Sequence, residues 1–185
     1  MGEEYGEPAP FLYFISHGDP GLIAAVRQGR AEALAACGCM GEAPDPQDPA
    51  TFARCKLNFS LLHQEPHHSQ WRFYQELCRL RREMLTTVAL GLSYPEVALV
   101  GRPPLLQVTY RQADQAYCLL LNFHQEPAEG SLPPVEGTWR LRLNSAAASW
   151  GGPGPDVATT ISGDGTMMVP ALAGLVYHQY EELIW

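Results

Sequence analysis

Nowhere in the 185-residue sequence do lysine and arginine gather into a run, and 12 basic residues face 20 acidic ones. Gripping a nucleic-acid backbone takes clustered cations that displace counterions, so the net charge of -8 argues against a nucleic-acid partner. Apolar runs of membrane-spanning length are missing too. The opening Met1-Gly-Glu-Glu-Tyr5 is acidic where a secretory leader is basic and then apolar. These absences predict a soluble, cytoplasmic chain with no membrane partner. The few cysteines, Cys37, Cys39, Cys55, Cys78 and Cys118, are odd in number and irregularly spaced, which fits buried thiols in a reducing compartment better than a disulfide framework. Asn58-Phe-Ser60 matches a glycosylation sequon, but without a leader it carries no weight. No Gly-x-Ser-x-Gly elbow and no Gly-x-x-x-x-Gly-Lys phosphate loop occurs, so acyl transfer and nucleotide hydrolysis lose their simplest support. No cofactor is expected.

What is present suits a folded protein: 46% hydrophobic and 17% charged residues lie within the soluble globular range. The length allows one domain, or one small domain plus elements of another. Residues 1 to 16 mix Tyr5, Phe11, Tyr13 and Phe14 with Pro8 and Pro10, and read as an ordered loop that expects something to pack against. Asp19-Pro20 is a cap followed by proline at the first helical position; Leu22, Ile23, Val26, Leu34 and Ala35 continue a helix, with an interruption expected near Gly29. Pro44-Asp-Pro-Gln-Asp-Pro49 reads as a rigid loop ending in a second Asp-Pro cap, before a short helix from Ala50 to about Leu57. Trp71, Tyr74, Leu77, Leu80 and Met84 form a helical stripe opposite Arg72, Glu76, Arg79 and Arg82.

After Leu92 the period becomes extended. Val97 to Val100, Leu105 to Arg111, Ala116 to Phe123, Thr138 to Leu143, Thr166 to Val169 and Gly174 to Tyr180 read as strands separated by Pro- and Gly-rich turns. The reading is α+β, divided into 1-90, helical, and 91-185, a small antiparallel β-sandwich.

Few residues offer chemistry. His63, Glu65, His67 and His68 hold metal-ligand types, but a stretch broken by Pro66 reads as a solvated loop before a helix. Cys37-Gly-Cys39 lacks a second pair for zinc. No metal site is therefore expected. Glu3 and Glu4 sit beside the aromatic cluster. Retaining glycosidic cleavage needs two carboxyl groups facing each other at roughly 5 to 5.5 Å, and neighbours on an extended strand point to opposite faces. Glu3 and Glu4 cannot supply that pair; one of them lines a sugar site or braces the loop.

Met1-Gly-Glu-Glu-Tyr-Gly-Glu7 followed by Pro10-Phe-Leu-Tyr-Phe14 resembles the segment after the last barrel strand in malto-oligosyltrehalose trehalohydrolases, of the alpha-amylase family of glycoside hydrolases. The Asp19-Pro20 helix with Val26-Arg27-x-Gly29-Arg30, the run Pro44 to Phe52, and Leu77-x-x-Leu80-Arg81-Arg82 resemble the same family, the proline-aspartate run most specifically. Cys37 and Cys39 depart from it, standing where the family tends to carry aromatics. The resemblance implies the terminal helices of a (β/α)8 barrel followed by an antiparallel β-sandwich. It implies hydrolysis of the alpha-1,4 bond beside the trehalose end of maltooligosyltrehalose, with Glu3, Glu4 and Tyr5 at the rim of the sugar site. It also implies an absence: the family's catalytic Asp, Glu and Asp belong to strands four, five and seven, upstream of Met1. The isolated chain is expected to be inactive and to meet α-glucan only through the complete enzyme.

Two other readings stand beside this one. A free-standing sandwich could hold glucan through exposed Trp139, Trp150 or Tyr177. Alternatively, the helical part pairs with a partner that supplies the barrel, and exposed helix faces would then self-associate.

Overall fold

The computed structural model describes residues 1–38, 44–87, 94–112, 115–134, 137–154, 156–162 and 165–180. The boundary placed near residue 90 and the thiol of Cys39 lie outside them. The chain is mixed helix and antiparallel sheet, in two compact units, Met1–His68 and Ser69–Trp185.

The first unit is built from loops and short helices. A single 3-10 turn, Glu3–Tyr5, is followed by α1, Pro20–Ala36, and α2, Pro49–Arg54; a second 3-10 turn covers Phe59–His63. Both Asp-Pro caps form as the sequence predicts. The Asp19 carboxylate accepts from Leu22 N–H at 2.9 Å and that of Asp48 from Ala50 N–H at 2.8 Å, each satisfying an otherwise orphan donor of the first turn. The expected break at Gly29 does not occur. An added Cβ at Gly29 would meet nothing within 4 Å, so this glycine faces open space and its cost is only the local loss of helix propensity.

α3, His67–Thr87, begins at the end of the first unit and runs on into the second, which continues with β1 Glu96–Val100, β2 Leu105–Gln112, β3 Gln115–Leu121, β4 Ala128–Ser131, β5 Thr138–Asn144, β6 Thr160–Ser162, β7 Thr166–Val169 and β8 Gly174–Tyr180. Six strands form one sheet in the order β1-β2-β3-β8-β5-β6, and β4 pairs with β7. The sheet buries both faces at its centre, because successive side chains on a strand point to opposite sides. On one side, Leu105, Cys118, Leu120, Trp139, Leu175 and Tyr177 share a core with Ala128, Met167 and Val169 of the β4–β7 pair. On the other, Tyr117, Leu143 and Val176 pack with Leu80 and Met84 of α3, the stripe read from the sequence.

β5 serves both cores. Its register against β8 shifts between Leu141 and Leu143. This β-bulge turns Leu143 toward α3, whereas Trp139 and Leu141 face the opposite core. The buried aromatics have partners for their polar tips: Tyr177 OH donates to Ala158 O at 2.7 Å, and Trp139 Nε1 to Pro133 O at 3.2 Å. Two strands escaped the sequence reading, β4 and β6. The thiols also correct an expectation: Cys118 is buried, but Cys55 is only half-buried, and Cys37 and Cys78 are exposed.

Candidate functional site

The segment that begins Met1-Gly-Glu-Glu-Tyr folds back on itself as a hook. Gly2 adopts φ 82°, and a Cβ there would lie 2.5 Å from Glu7 Cβ, so the close turn needs glycine. The turn is closed by Tyr5 N–H and Glu7 N–H, which both donate to Gly2 O at 3.2 and 3.0 Å.

Tyr5, only 1% exposed, sits inside the hook and its hydroxyl donates to Glu7 Oε2 at 2.9 Å. Glu7 collects further donors. Asn58 N–H reaches Oε2 at 2.6 Å and Ala9 N–H reaches Oε1 at 2.9 Å. These hydrogen bonds hold the Glu7 carboxyl below its ordinary acidity range, Asn58 acting most strongly. Burial, with Glu7 adding to it, pushes the Tyr5 phenol up to about 12. His67 Nδ1–H donates to Tyr5 O at 2.7 Å, tying the hook to the start of α3. His68 gives its own Nδ1–H to Leu62 O at 3.0 Å. Two of the three histidines considered as metal ligands, His67 and His68, thus spend a ring nitrogen on different backbone carbonyls.

Of the residues assigned to the sugar rim, Glu3 is exposed, Glu4 is half-buried and Tyr5 is buried. Sequence reasoning missed Glu7, Asn58 and His67, which organise the hook. Glu7 stood within the quoted motif; Asn58, 51 positions from Glu7, and His67, 62 positions from Tyr5, had no local signal as parts of the hook.

The proline-aspartate run forms a strap across the unit. Arg27 of α1 donates from Nε and Nη2 to the two oxygens of Asp45, at 2.9 and 2.6 Å. The pairing lowers the Asp45 pKa and raises that of Arg27. Gln47 accepts from His17 N–H at 3.2 Å and donates to His17 O at 3.0 Å, so its amide mimics one rung of a ladder. Thr51 Oγ1 donates to Asp45 O at 2.7 Å. Arg30 lies over the Tyr13 ring, 5.0 Å from its centroid, and Phe14 meets Phe52 edge-on at 5.0 Å. Three of the four sequence stretches quoted for the resemblance, all but Leu77 to Arg82, therefore touch one another.

The second unit holds a charged cluster under α3. The Glu83 carboxylate accepts from Tyr117 OH at 2.9 Å, from Arg142 Nη2 at 2.9 Å and from Arg79 Nη1 at 3.1 Å. Burial works against its ionisation, but Arg142, Tyr117 and Arg79 prevail and hold its pKa down. Trp139 and Tyr177, considered above as an exposed platform, are fully buried core residues; Trp150 is half-buried and packs on Phe73.

The fold has a counterpart in part of a solved, longer chain. It matches, with a TM-score of 0.68 and 28% identity, a crystal structure from Salmonella typhimurium whose protein is provisionally assigned as an alpha amylase; the match covers 97% of this chain and 27% of that one. The sequence relatives are more specific. A malto-oligosyltrehalose trehalohydrolase from Arthrobacter ramosus is 46% identical over 85 residues, 45% of this chain. Those of Mycobacterium tuberculosis and Saccharolobus solfataricus are 45% and 39% identical over 82 and 83 residues. The chain spans about 15% of the length of the curated relatives it matches, in their C-terminal portions. No family model matches the chain.

Proposed function

We propose that this chain is the C-terminal portion of a cytoplasmic trehalohydrolase-type α-glucan hydrolase, which cleaves the alpha-1,4 bond beside the trehalose end of maltooligosyltrehalose. In this reading α1 to α3 are terminal helices of the (β/α)8 barrel and the strands form its β-sandwich. The hook then brings Glu3, Glu4 and Tyr5 to the rim of the sugar site. The observation that carries the proposal is the agreement of the relatives: each of the seven matched is a malto-oligosyltrehalose trehalohydrolase.

Among the described residues, no carboxyl group with a resolved shift has the raised pKa of a general acid. A general acid in glycoside cleavage needs its pKa raised so that it holds a proton to give to the leaving oxygen. The shifted carboxyl groups, Glu7, Asp45, Glu76 and Glu83, all move the other way, each held ionised by donors or cations. None of these four suits the role of a proton donor at neutral pH.

The test has two arms. The isolated chain, incubated with maltooligosyltrehalose, is expected to release no trehalose. A covalent chimera, in which this chain replaces the C-terminal portion of the Arthrobacter relative, is expected to release it. Turnover by the isolated chain, or a folded chimera without turnover, would overturn the proposal.

A further inference from the structure

Asn122, buried just past the end of β3, locks two loops of the sheet unit together. Its Nδ2 faces three carbonyls, Glu126 O, Val169 O and Pro170 O, at 2.9, 3.2 and 2.9 Å, and its Oδ1 accepts from His124 N–H at 2.9 Å. The backbone closes the same junction: Asn122 N–H donates to Ala173 O at 2.8 Å and Leu172 N–H to His124 O at 3.0 Å. A junction tied this closely leaves little ordering entropy to be lost by the side chains it presents. Two of them are large, apolar and turned outward: Phe123 is 71% exposed and Leu172 60%. Leu172 also holds φ at 48°, a left-handed conformation that residues other than glycine, asparagine and aspartate rarely adopt. Both line a pocket of about 200 Å³, together with Leu121, Asn122, Ala173 and Gly174.

The lining says what the pocket takes. It is mainly apolar, and Gln125 and Glu126, both exposed on the loop that carries Phe123, set an amide and a carboxylate beside the ring in sequence. An apolar wall with a few polar groups near it is the makeup of a small-molecule site. A sugar offers an apolar CH face to Phe123 and hydroxyls to groups that accept or donate hydrogen bonds. The charged member of the loop is an anion, which works against phosphorylated ligands. The volume is below the roughly 300 to 1,000 Å³ of sites that enclose a whole drug-sized ligand, so one ring enters and the rest of a longer chain stays in solvent. We propose that the Phe123–Leu172 pocket is a carbohydrate site on the sheet unit that grips one glucose unit of a neutral α-glucan chain. The α-linkage rests on the functional reading above, and the site itself on the pocket. Phe123 thereby takes the role that burial denies to Trp139 and Tyr177.

The experiment titrates the full 185-residue chain with maltoheptaose and, separately, with cellohexaose, and follows backbone amide shifts by NMR. Maltoheptaose is expected to move the amides of Leu121 to His124 and of Leu172 to Gly174, and cellohexaose to leave them still. Phe123→Ala should weaken binding at least about fivefold, the loss of one stacked ring, with circular dichroism confirming that the variant keeps its fold. Leu172→Gly should weaken binding too while costing little stability, because glycine takes the left-handed backbone without strain. Phe11→Ala is the control, since Phe11 is 78% exposed in the other unit and its loss should leave affinity unchanged. No shift with maltoheptaose, shifts confined to the hook of residues 1–7, or unchanged affinity in Phe123→Ala would each overturn the site. Self-association that Phe123→Ala abolishes, without any glucan shift, would overturn it as well and assign the patch to a second copy. Equal shifts with cellohexaose would overturn the assignment to α-glucan. Pocket binding beside an inactive covalent chimera would uphold the site and count against the activity reading. An active chimera without pocket binding would do the reverse.

Discussion

Arg27 on α1 and Asp45 in the proline-rich strap meet as a two-pronged ion pair, although 18 positions separate them. Proline on either side of Asp45 restricts its backbone, so the carboxylate is presented with little entropy left to lose, and the planar guanidinium matches both oxygens. Asp45 Oδ1 also accepts Gln47 N–H at 3.1 Å, and its carbonyl accepts Thr51 Oγ1. One residue thus joins α1, the strap and α2.

Replacing Arg27 with lysine keeps the charge and loses the fork. Both partners are substantially exposed, so water and salt already screen the pair. The expected cost is small for Arg27→Lys and larger for Asp45→Ala, which also strands Gln47 N–H. Urea unfolding followed by helical circular dichroism at low and high salt checks this. A salt-independent loss for Arg27→Lys would show that packing, not pairing, is at stake.

Glu83 should matter more. Its carboxylate is 26% exposed, and Arg142, Arg79 and Tyr117 converge on it from β5, α3 and β3. Removing it takes the carboxylate away from Arg142 and Tyr117, while Arg79 keeps its two hydrogen bonds to Glu76. Glu83→Ala is expected to destabilise the sheet unit by about 2 kcal/mol, between the exposed and fully buried limits for ion pairs. A double-mutant cycle of Glu83→Gln with Tyr117→Phe should give a coupling of about 1 kcal/mol. Additive effects would remove Tyr117 from the cluster.

How far the sequence announces these features depends on distance along the chain. The caps at Asp19 and Asp48 were legible because cap and helix are adjacent, and α3 because Leu77, Leu80 and Met84 repeat at helical spacing. β4 was not. Ala128-Glu-Gly-Ser131 has little strand propensity, and the strand exists because Gly130 leaves room for Leu105: an added Cβ would stand 2.7 Å from Leu105 Cδ1. Tertiary fit, not local preference, makes it extended. The hook shows the same limit. Its motif could be recognised as a pattern, but the pairing of Glu7 with Asn58 is a property of the folded unit alone.

His178 gives the sheet unit a pH dependence. Its ring stacks on Tyr117 with centroids 4.2 Å apart, and its Nε2 lies 2.9 Å from Gln115 Oε1. Burial, and then Arg142, lower its pKa, while Glu83 opposes them. A depressed folded pKa means that the unfolded state takes up the proton first. Stability is therefore full above the unfolded value of about 6.5 and is lost as pH falls through the lower folded value. Glu76 and Glu83 are depressed as well, so a second loss is expected below about pH 4.3. Chemical denaturation between pH 8 and 3 should show both steps, and His178→Phe should flatten the upper one. A variant that retains the upper step would assign it to another group.

The contrast between the units makes the sharpest stability prediction. Leu120 is fully buried at the centre of the sheet, between Gln107 and Leu175 in register, and truncating it leaves a cavity that both strands frame. Leu120→Ala should cost about 2 to 5 kcal/mol, the range for a buried leucine. Leu22 is the same residue type on α1, yet 47% exposed, and there Leu22→Ala should stay within about 0.5 kcal/mol, because little surface returns to water and alanine is the better helix former. The same inequality should appear without mutation. Amide exchange in α1 is expected to be governed by local opening, since none of its residues is fully buried. Exchange in β3 should need global unfolding of the sheet unit, because Tyr117 and Leu120 are buried on opposite faces of the strand. If α1 amides proved as protected as those of β3, the first unit would have a source of stability beyond the contacts seen here.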